Sequence, residues 1–429
     1  MDNETARKLA KRIIDEAAQL SAKDTLALLD SHVARNYSLL CHEPVLRAEG
    51  PWLYTKDRRI FDGVAAYSAA NLGHGHPLVR ETLKAFLDSH APTVLGRFMP
   101  DPWLALFGRK VCEMTGFERF LPANGGVEGP EAAIKLARRW AHKQGKNKPE
   151  ILYANRCFHG RTLTVTQMFD LEEHAARDGF GPWPEGFKRI AYNDLRAVKD
   201  ALNQNTAAII VEPIQGEGGI NVPDEGYLRA LIELGRAEKF LVIFDEVQTG
   251  WARTGEMFAW MHEGPEARPD ILCIGKSVSG GYAPVGGILA DQRLMQLFGP
   301  GSHGSTFGGC PISSCIAYAA LTAIEAEGLV QQAQEKGEHV WQRLQEIAEQ
   351  SPRIKEVRGK GMMFGIELTQ DGPDGHHFSV ELLKLGAILK DTHKWVLRFT
   401  PPIVATRQEL DFVLELIEQV FTAKTADAH

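Results

Sequence analysis

The chain has 429 residues, 44% of them hydrophobic and 24% charged, the make-up of ordinary folded domains, which excludes disordered, collagen-like and coiled-coil classes. Lys+Arg total 48 and Asp+Glu 55, a formal charge of −7. No run of five like charges occurs, so nucleic acid is not an expected partner. At this length two or three domains are expected, with a core that needs no staples.

Residues 4–33 place Leu9, Ile13, Ile14, Ala17 and Leu20 at helical spacing among charged neighbours. This predicts one amphipathic helix, packed on the body or on a partner subunit. The first twenty residues mix acids with bases and contain no long apolar stretch, so neither a secretory signal nor a transit peptide is expected. Trp52-Leu53-Tyr54 and Arg59–Asp62 flank a polar turn and predict two short strands.

A long alternation follows. Helical patterns occupy 78–90, 102–115, 129–144, 195–204, 225–238 and 312–326. Between them lie the apolar runs Ile151–Tyr153, Ala207–Val211, Phe240–Phe244, Ile271–Ile274 and Val285–Leu289. Such runs fit buried strands of a mostly parallel sheet wrapped by helices, an α/β fold. They are too short to span a bilayer, so no membrane association is expected. From about 328 the pattern changes to helices at 329–349, 379–386 and 407–422, with strands at 362–367 and 395–399. This gives an N-terminal segment 1–65, a large domain 66–327 and a smaller α+β domain 328–429. Cys41, Cys112, Cys157, Cys273, Cys310 and Cys315 show no C-x-x-C pair. They are expected to be thiols in a reducing, cytoplasmic compartment.

Ligands of parallel α/β sheets bind beyond the carboxyl ends of the strands. Asp245 follows Phe240–Phe244, and Lys276 follows Ile271–Ile274 after Gly275. An acid there either caps the next turn or serves a ligand; a lysine there either snorkels to solvent or reacts with a carbonyl. Together they suit pyridoxal 5'-phosphate, whose aldehyde takes a lysine and whose ring nitrogen takes an acid. The glycine-rich stretch Leu121–Gly129, running into the helix at 130–144, is a candidate phosphate cradle. Lys276 does not belong to a P-loop, since Asp270 stands where that motif requires glycine. Gly299, Gly301 and Gly304 match a dinucleotide pattern but follow a helix-like run and include Pro300. His74 and His76 lack a third ligand at metal spacing, so no metal is expected.

In order along residues 36 to 420, the chain resembles class III aminotransferases, pyridoxal-phosphate enzymes of fold type I. The matching stretches include Ala66–Asn71, Asn124–Glu131, Phe158–Thr162, Val211–Glu217, Asp245–Gly255, Gly275–Gly281, Gly304–Gly309 and Arg398–Pro402. The resemblance implies transamination from an ornithine-like ω-amino acid to a 2-oxo acid, 2-oxoglutarate. Acetylornithine, 4-aminobutyrate and diamine donors, or an epimerase or aminomutase on the same scaffold, are the alternatives. It implies Lys276 as cofactor anchor and proton carrier, with Asp245 at the ring nitrogen. Phe158 would stack on the ring with Val247 opposite, Gln248 would bond the ring hydroxyl, and Gly125, Gly126 and Val127 would hold the phosphate. Thr306 would reach the phosphate of a neighbouring subunit, implying a homodimer with shared sites. Arg161 and Arg398 would bind substrate carboxylates, Glu217 would pair with Arg398 when no carboxylate needs it, and Tyr37 and Tyr67 would contact substrate. Three residues depart from the family pattern. Gly125 replaces a hydroxyl-bearing residue. Cofactor-facing His159 stands where members acting on ornithine have an aromatic and those acting on acetylornithine have His. Cys310 replaces Asn.

Overall fold

A computed structural model describes residues 1–169 and 176–422. Its centre is a seven-stranded sheet in the order Arg119–Ala123, Gly286–Ala290, Ile271–Ile274, Leu241–Asp245, Thr206–Val211, Glu150–Ala154, Phe187–Ile190. The four pairings from Ile271–Ile274 to Phe187–Ile190 are parallel. Gly286–Ala290 opposes both its neighbours. The sheet is thus mostly parallel, as expected, with one reversed strand inside it. All residues of Thr206–Val211, Leu241–Asp245 and Ile271–Ile274 are buried, which is why these runs lack polar alternation. The two strands absent from the expectations, Arg119–Ala123 and Phe187–Ile190, lie at the two sheet edges and carry exposed charges.

Helices cover the sheet where their apolar faces demand it. Helix Pro102–Thr115 begins at Asp101, whose carboxylate accepts the Trp103 N–H, and ends at Gly116 with φ +72°. Helix Glu128–Lys143 buries Ala132, Ala133, Leu136, Ala137 and Ala141, with acids in its first turn and His142 and Lys143 in its last.

The small domain is a four-stranded antiparallel sheet in the order Ile354–Lys360, Met363–Leu368, Val396–Phe399, Lys390–Thr392. Helices Leu329–Gln350, Gly375–Leu385 and Arg407–Thr422 accompany it. A third sheet joins Arg47–Glu49, Trp52–Tyr54 and Arg59–Asp62 to Ala387–Ile388, so the N-terminal strands share hydrogen bonds with the C-terminal part of the chain. Arg253 locks these parts together. It is fully buried and donates to the carbonyls of Met362 at 2.8 Å and Pro401 at 2.7 Å, and to the Asn71 side chain. Burial pulls its guanidinium down to about 9.

The N-terminal segment departs from expectation twice. The single helix is two, Asn3–Gln19 and Ala22–His32, because Ser21 caps the second by accepting the Asp24 N–H at 3.1 Å. Neither helix buries a residue within this chain, and Ile13 and Ile14 stay exposed. Its packing on the body is therefore corrected: the apolar face stands away from it.

Candidate active site

The carboxyl ends of the parallel strands converge on a cavity of about 180 Å³. Val127, Phe158, Glu212, Asp245, Gln248 and Lys276 are among its lining residues. Asp245 ends its strand, and Cys273 is its cross-strand partner. One carboxylate oxygen accepts the Val247 N–H at 3.1 Å; the other lies 2.7 Å from His159 Nδ1. Both side chains are buried. Burial disfavours the His159 cation while Cys157 and the Asp245 carboxylate favour it, and the balance lies well toward protonation.

Lys276 opens a short 3₁₀ turn directly after Gly275, with φ +47°. A non-glycine residue held in this region stores backbone strain, a feature concentrated at functional sites. Burial pulls its amine below the ordinary lysine value, opposed by the charges of Glu217, Asp245 and Glu212. The lowered value enlarges the neutral, nucleophilic fraction.

The loop between Ala123 and the helix starting at Glu128 is closed to side chains from below. A Cβ on Gly126 would meet Val247 Cγ1 at 2.8 Å, and one on Gly275 would meet Gly126 Cα at 2.9 Å. Gly125 faces open space. Gly160, at φ +120°, admits no side chain either, since its Cβ would fall 2.2 Å from Val127 Cγ2. The His159 Nε2 is buried without a partner among the described residues.

On the small-domain side, Arg398 is 3% exposed and is paired with Glu217. Burial pushes the Glu217 carboxyl up, but the charges of Arg398 and Lys276 outweigh it, so the group lies below its ordinary value. The Arg398 guanidinium carbon lies 5.2 Å from the Tyr67 ring centre. Tyr67 belongs to a left-handed stretch, Ala65 to Ser68, with φ between +45° and +66°. Asp62 supports that stretch by accepting the N–H groups of Val64 and Ala66. Arg161 lies over the rings of Phe158, 5.4 Å away, and Phe169, 4.6 Å away.

Of the expected site residues, Gly125, Tyr67, Arg161, Glu217 and Arg398 are not among those lining this cavity, and Tyr37 and Thr306 lie at separate recesses. Tyr37 is 74% exposed and lines a surface groove with Leu39 and His42. Thr306 lines a separate recess with Gly96 and Arg97. The histidines of His74-Gly75-His76 diverge, His74 to Asp62 at 2.9 Å and His76 to Glu327 at 2.7 Å. Among the described residues no cluster of His, Cys, Asp or Glu suits a metal, and no single helix is long and apolar enough to cross a membrane.

Sequence reasoning assigned no role to Glu212. It follows the strand Thr206–Val211, and its carboxylate accepts the N–H groups of Phe158 at 2.8 Å and Gly216 at 3.1 Å. Burial raises it to about 7. The signal was the one used for Asp245, an acid ending an apolar run.

These features together fit a planar cofactor with an aldehyde, a ring nitrogen and an anionic group. A lysine amine and a buried carboxylate face one cavity, and a glycine floor leads into a helix N-terminus. Comparison with known proteins agrees. The model of the class III aminotransferase family matches residues 33–421. An ornithine aminotransferase of Brevibacillus brevis is 41% identical over 393 residues, 90% of this chain and 95% of that protein. The solved ornithine aminotransferase of Toxoplasma gondii superposes with a TM-score of 0.91 at 33% identity, covering 96% of this chain and 97% of that one. Acetylornithine aminotransferase from Elizabethkingia anophelis gives a TM-score of 0.83, also at 33% identity, over 94% and 99% of the two chains. A family match over nearly the whole chain and a site built for the corresponding cofactor lead to one conclusion: the chain belongs to the class III aminotransferases.

Proposed function

We propose that this aminotransferase moves the ω-amino group of ornithine to 2-oxoglutarate, giving a semialdehyde and glutamate. The observation that carries the reading is the Arg398–Glu217 pair, whose charges act on the Lys276 amine. An ω-amine donor keeps its α-carboxylate far from the reacting end, whereas glutamate carries a carboxylate next to it. A guanidinium that is masked for the first and unmasked for the second serves both.

Pyridoxal 5'-phosphate is the cofactor, and when bound it supplies an aldehyde for the amine and a ring that accepts electrons. Lys276 would hold the aldehyde and carry the proton between the substrate carbon and the cofactor. Asp245, braced by His159, would keep the ring nitrogen protonated. Phe158 and Val247 would confine the ring, and Gln248 would take its hydroxyl. The backbone at Gly125, Gly126 and Val127 would hold the phosphate. Arg161 would receive the remote carboxylate of the five-carbon acid, and Tyr67 would help orient the donor. His159 engages Asp245 rather than the substrate end, so its presence does not shift the reading to N-acetylated donors.

A homodimer accounts for the rest. Tyr37 and Thr306 would complete the partner's site, and the exposed apolar face of the N-terminal helices would lie on that partner. A cytoplasmic setting fits the reading of the six cysteines as thiols.

The test is a donor panel with 2-oxoglutarate and with pyruvate. Ornithine with 2-oxoglutarate is expected to react fastest, and without a keto acid no donor should be converted beyond one equivalent per site. A preference for the N-acetylated donor, or isomerisation of the donor alone, would overturn the reading.

A further inference from the structure

The loop that bears Glu217 rests on the small domain in a specific way. In the small sheet, Arg358 pairs with Gly365, and Gly365 pairs with Arg398. The three residues form one row across the strands, with glycine between two arginines, and paired positions project to the same face. The loop Gln215–Asn221 sits on that row. A Cβ on Gly365 would fall 2.9 Å from Ile220 Cβ and 3.2 Å from the Gly219 carbonyl oxygen. The missing side chain is what lets the loop settle there.

Each arginine of the row takes a different part of the loop. Arg358 donates from Nε to the carbonyls of Gly219 at 3.0 Å and Ile220 at 3.1 Å, and from Nη2 to Gly219 at 2.7 Å. Its remaining nitrogen, Nη1, is held by Glu356 and Glu367. Arg398 takes the Glu217 carboxylate. Thr392, on the next strand, donates its hydroxyl to the Glu217 carbonyl at 2.6 Å. From the large domain, Glu212 accepts the Gly216 N–H at 3.1 Å. Gln215 and Asn221 close the loop by exchanging both backbone hydrogen bonds at 3.0 Å.

We infer that Arg358 and Thr392 are positioning residues for donor discrimination: they fix the backbone of the Glu217 loop on the sheet that carries Arg398, so that Glu217 unmasks Arg398 by side-chain rotation alone. The inference rests on the ornithine reading for its biological meaning, though not for its geometry. Fixing both partners on one sheet keeps their separation independent of any movement between domains. It also means the exchange of a substrate carboxylate for Glu217 orders or disorders one side chain rather than a loop, which keeps its entropic cost small.

The test uses holoenzyme of wild type, Thr392→Val and Arg358→Lys, each also in a Glu217→Ala background. Thr392→Val removes one hydroxyl with little change of shape and guards against a folding defect in the arginine variant. One readout is calorimetric binding of glutarate, a five-carbon dicarboxylate with neither amine nor keto group. The other is the ratio of single-turnover rates with ornithine and with glutamate. Loosening the loop should weaken the mask. Glutarate should bind tighter and the ornithine-to-glutamate ratio should fall, by about fivefold or more for Arg358→Lys and in the same direction for Thr392→Val. Both effects should vanish in the Glu217→Ala background. A purely structural role would lower both rates by one factor and leave glutarate binding unmoved, which overturns the inference; so does an effect that persists without Glu217. Failure of wild type to use ornithine would sink the proposed function instead, while the glutarate arm still judges Arg358 and Thr392.

Discussion

The two walls of the active site are built on opposite principles. On the large-domain wall, Asp245, His159 and Glu212 are buried, and each is held by hydrogen bonds from neighbouring backbone or side chains. On the small-domain wall, Arg398 is buried, but its partner Glu217 retains 23% of its side-chain exposure and one ionic contact. A charge that must persist through every turnover is best surrounded by fixed dipoles in a dry place, where its interactions are strongest. A charge that must be exchanged for a substrate carboxylate needs a partner that water can reach and that can turn away. Under the proposed function, this difference in solvation would separate a cofactor wall from a substrate wall.

The sharpest way to break this comparison is at Asp245. Asp245→Asn keeps the volume but removes the charge facing the cavity and leaves one acceptor oxygen where Val247 N–H and His159 Nδ1 now have two. Turnover should fall by about 10²-fold or more, the size of one preorganised electrostatic contact. Near-normal steady-state kinetics on folded protein would make Asp245 a structural acid and collapse the distinction between the walls.

Glu217→Ala probes the exchangeable wall and should have a smaller, selective effect. It leaves Arg398 unmasked, so the rate with ornithine should drop relative to that with glutamate by about tenfold, a coupling of ordinary size. A static bridge would instead lower melting temperature and slow both half-reactions equally. Paired single-turnover measurements distinguish the two.

The smallest effect concerns Glu212 and pH. Burial raises its carboxyl from the ordinary 4.5 to about 7. The folded protein therefore holds a proton there that the unfolded chain has released between those values. A raised folded pKa gives stability that is fully present below pH 4.5 and is lost as pH rises through about 7. Glu212→Gln removes this titration. Its stability relative to wild type should improve across pH 5 to 8 by an amount on the order of 2 kcal/mol, read from denaturant unfolding at several pH values. A pH-independent difference would mean that the two N–H donors at Phe158 and Gly216 keep the carboxylate ionised throughout.

Much of the fold was legible because its central strands are buried on both faces and so read as short apolar runs. Helix Pro102–Thr115 was legible to the residue, being bracketed by Asp101-Pro102 and by Gly116. The edge strands Arg119–Ala123 and Phe187–Ile190 were not, since solvent on one side admits charges such as Lys188 and Arg189 that mask a strand pattern. The break at Ser21 was hidden for another reason: the apolar spacing persists across it while the cap interrupts the backbone.

By itself the sequence determined which residues end the buried strands, and thus that an acid and a lysine, Asp245 and Lys276, face the same edge of one sheet. The strand Val285–Leu289 was foreseen, close to its observed span Gly286–Ala290. Its reversed direction was settled only by the tertiary structure, because a buried run has the same composition whichever way it points. Tertiary structure also decided that His159 meets Asp245 across 86 positions, that Glu212 ties Phe158 to the Glu217 loop, and that Arg358, Gly365 and Arg398 align in one row. The reason is physical. Burial and backbone geometry are dictated locally and leave a periodic trace in the chain, whereas a hydrogen bond between distant polar groups is fixed by strand register and packing, which no local spacing encodes.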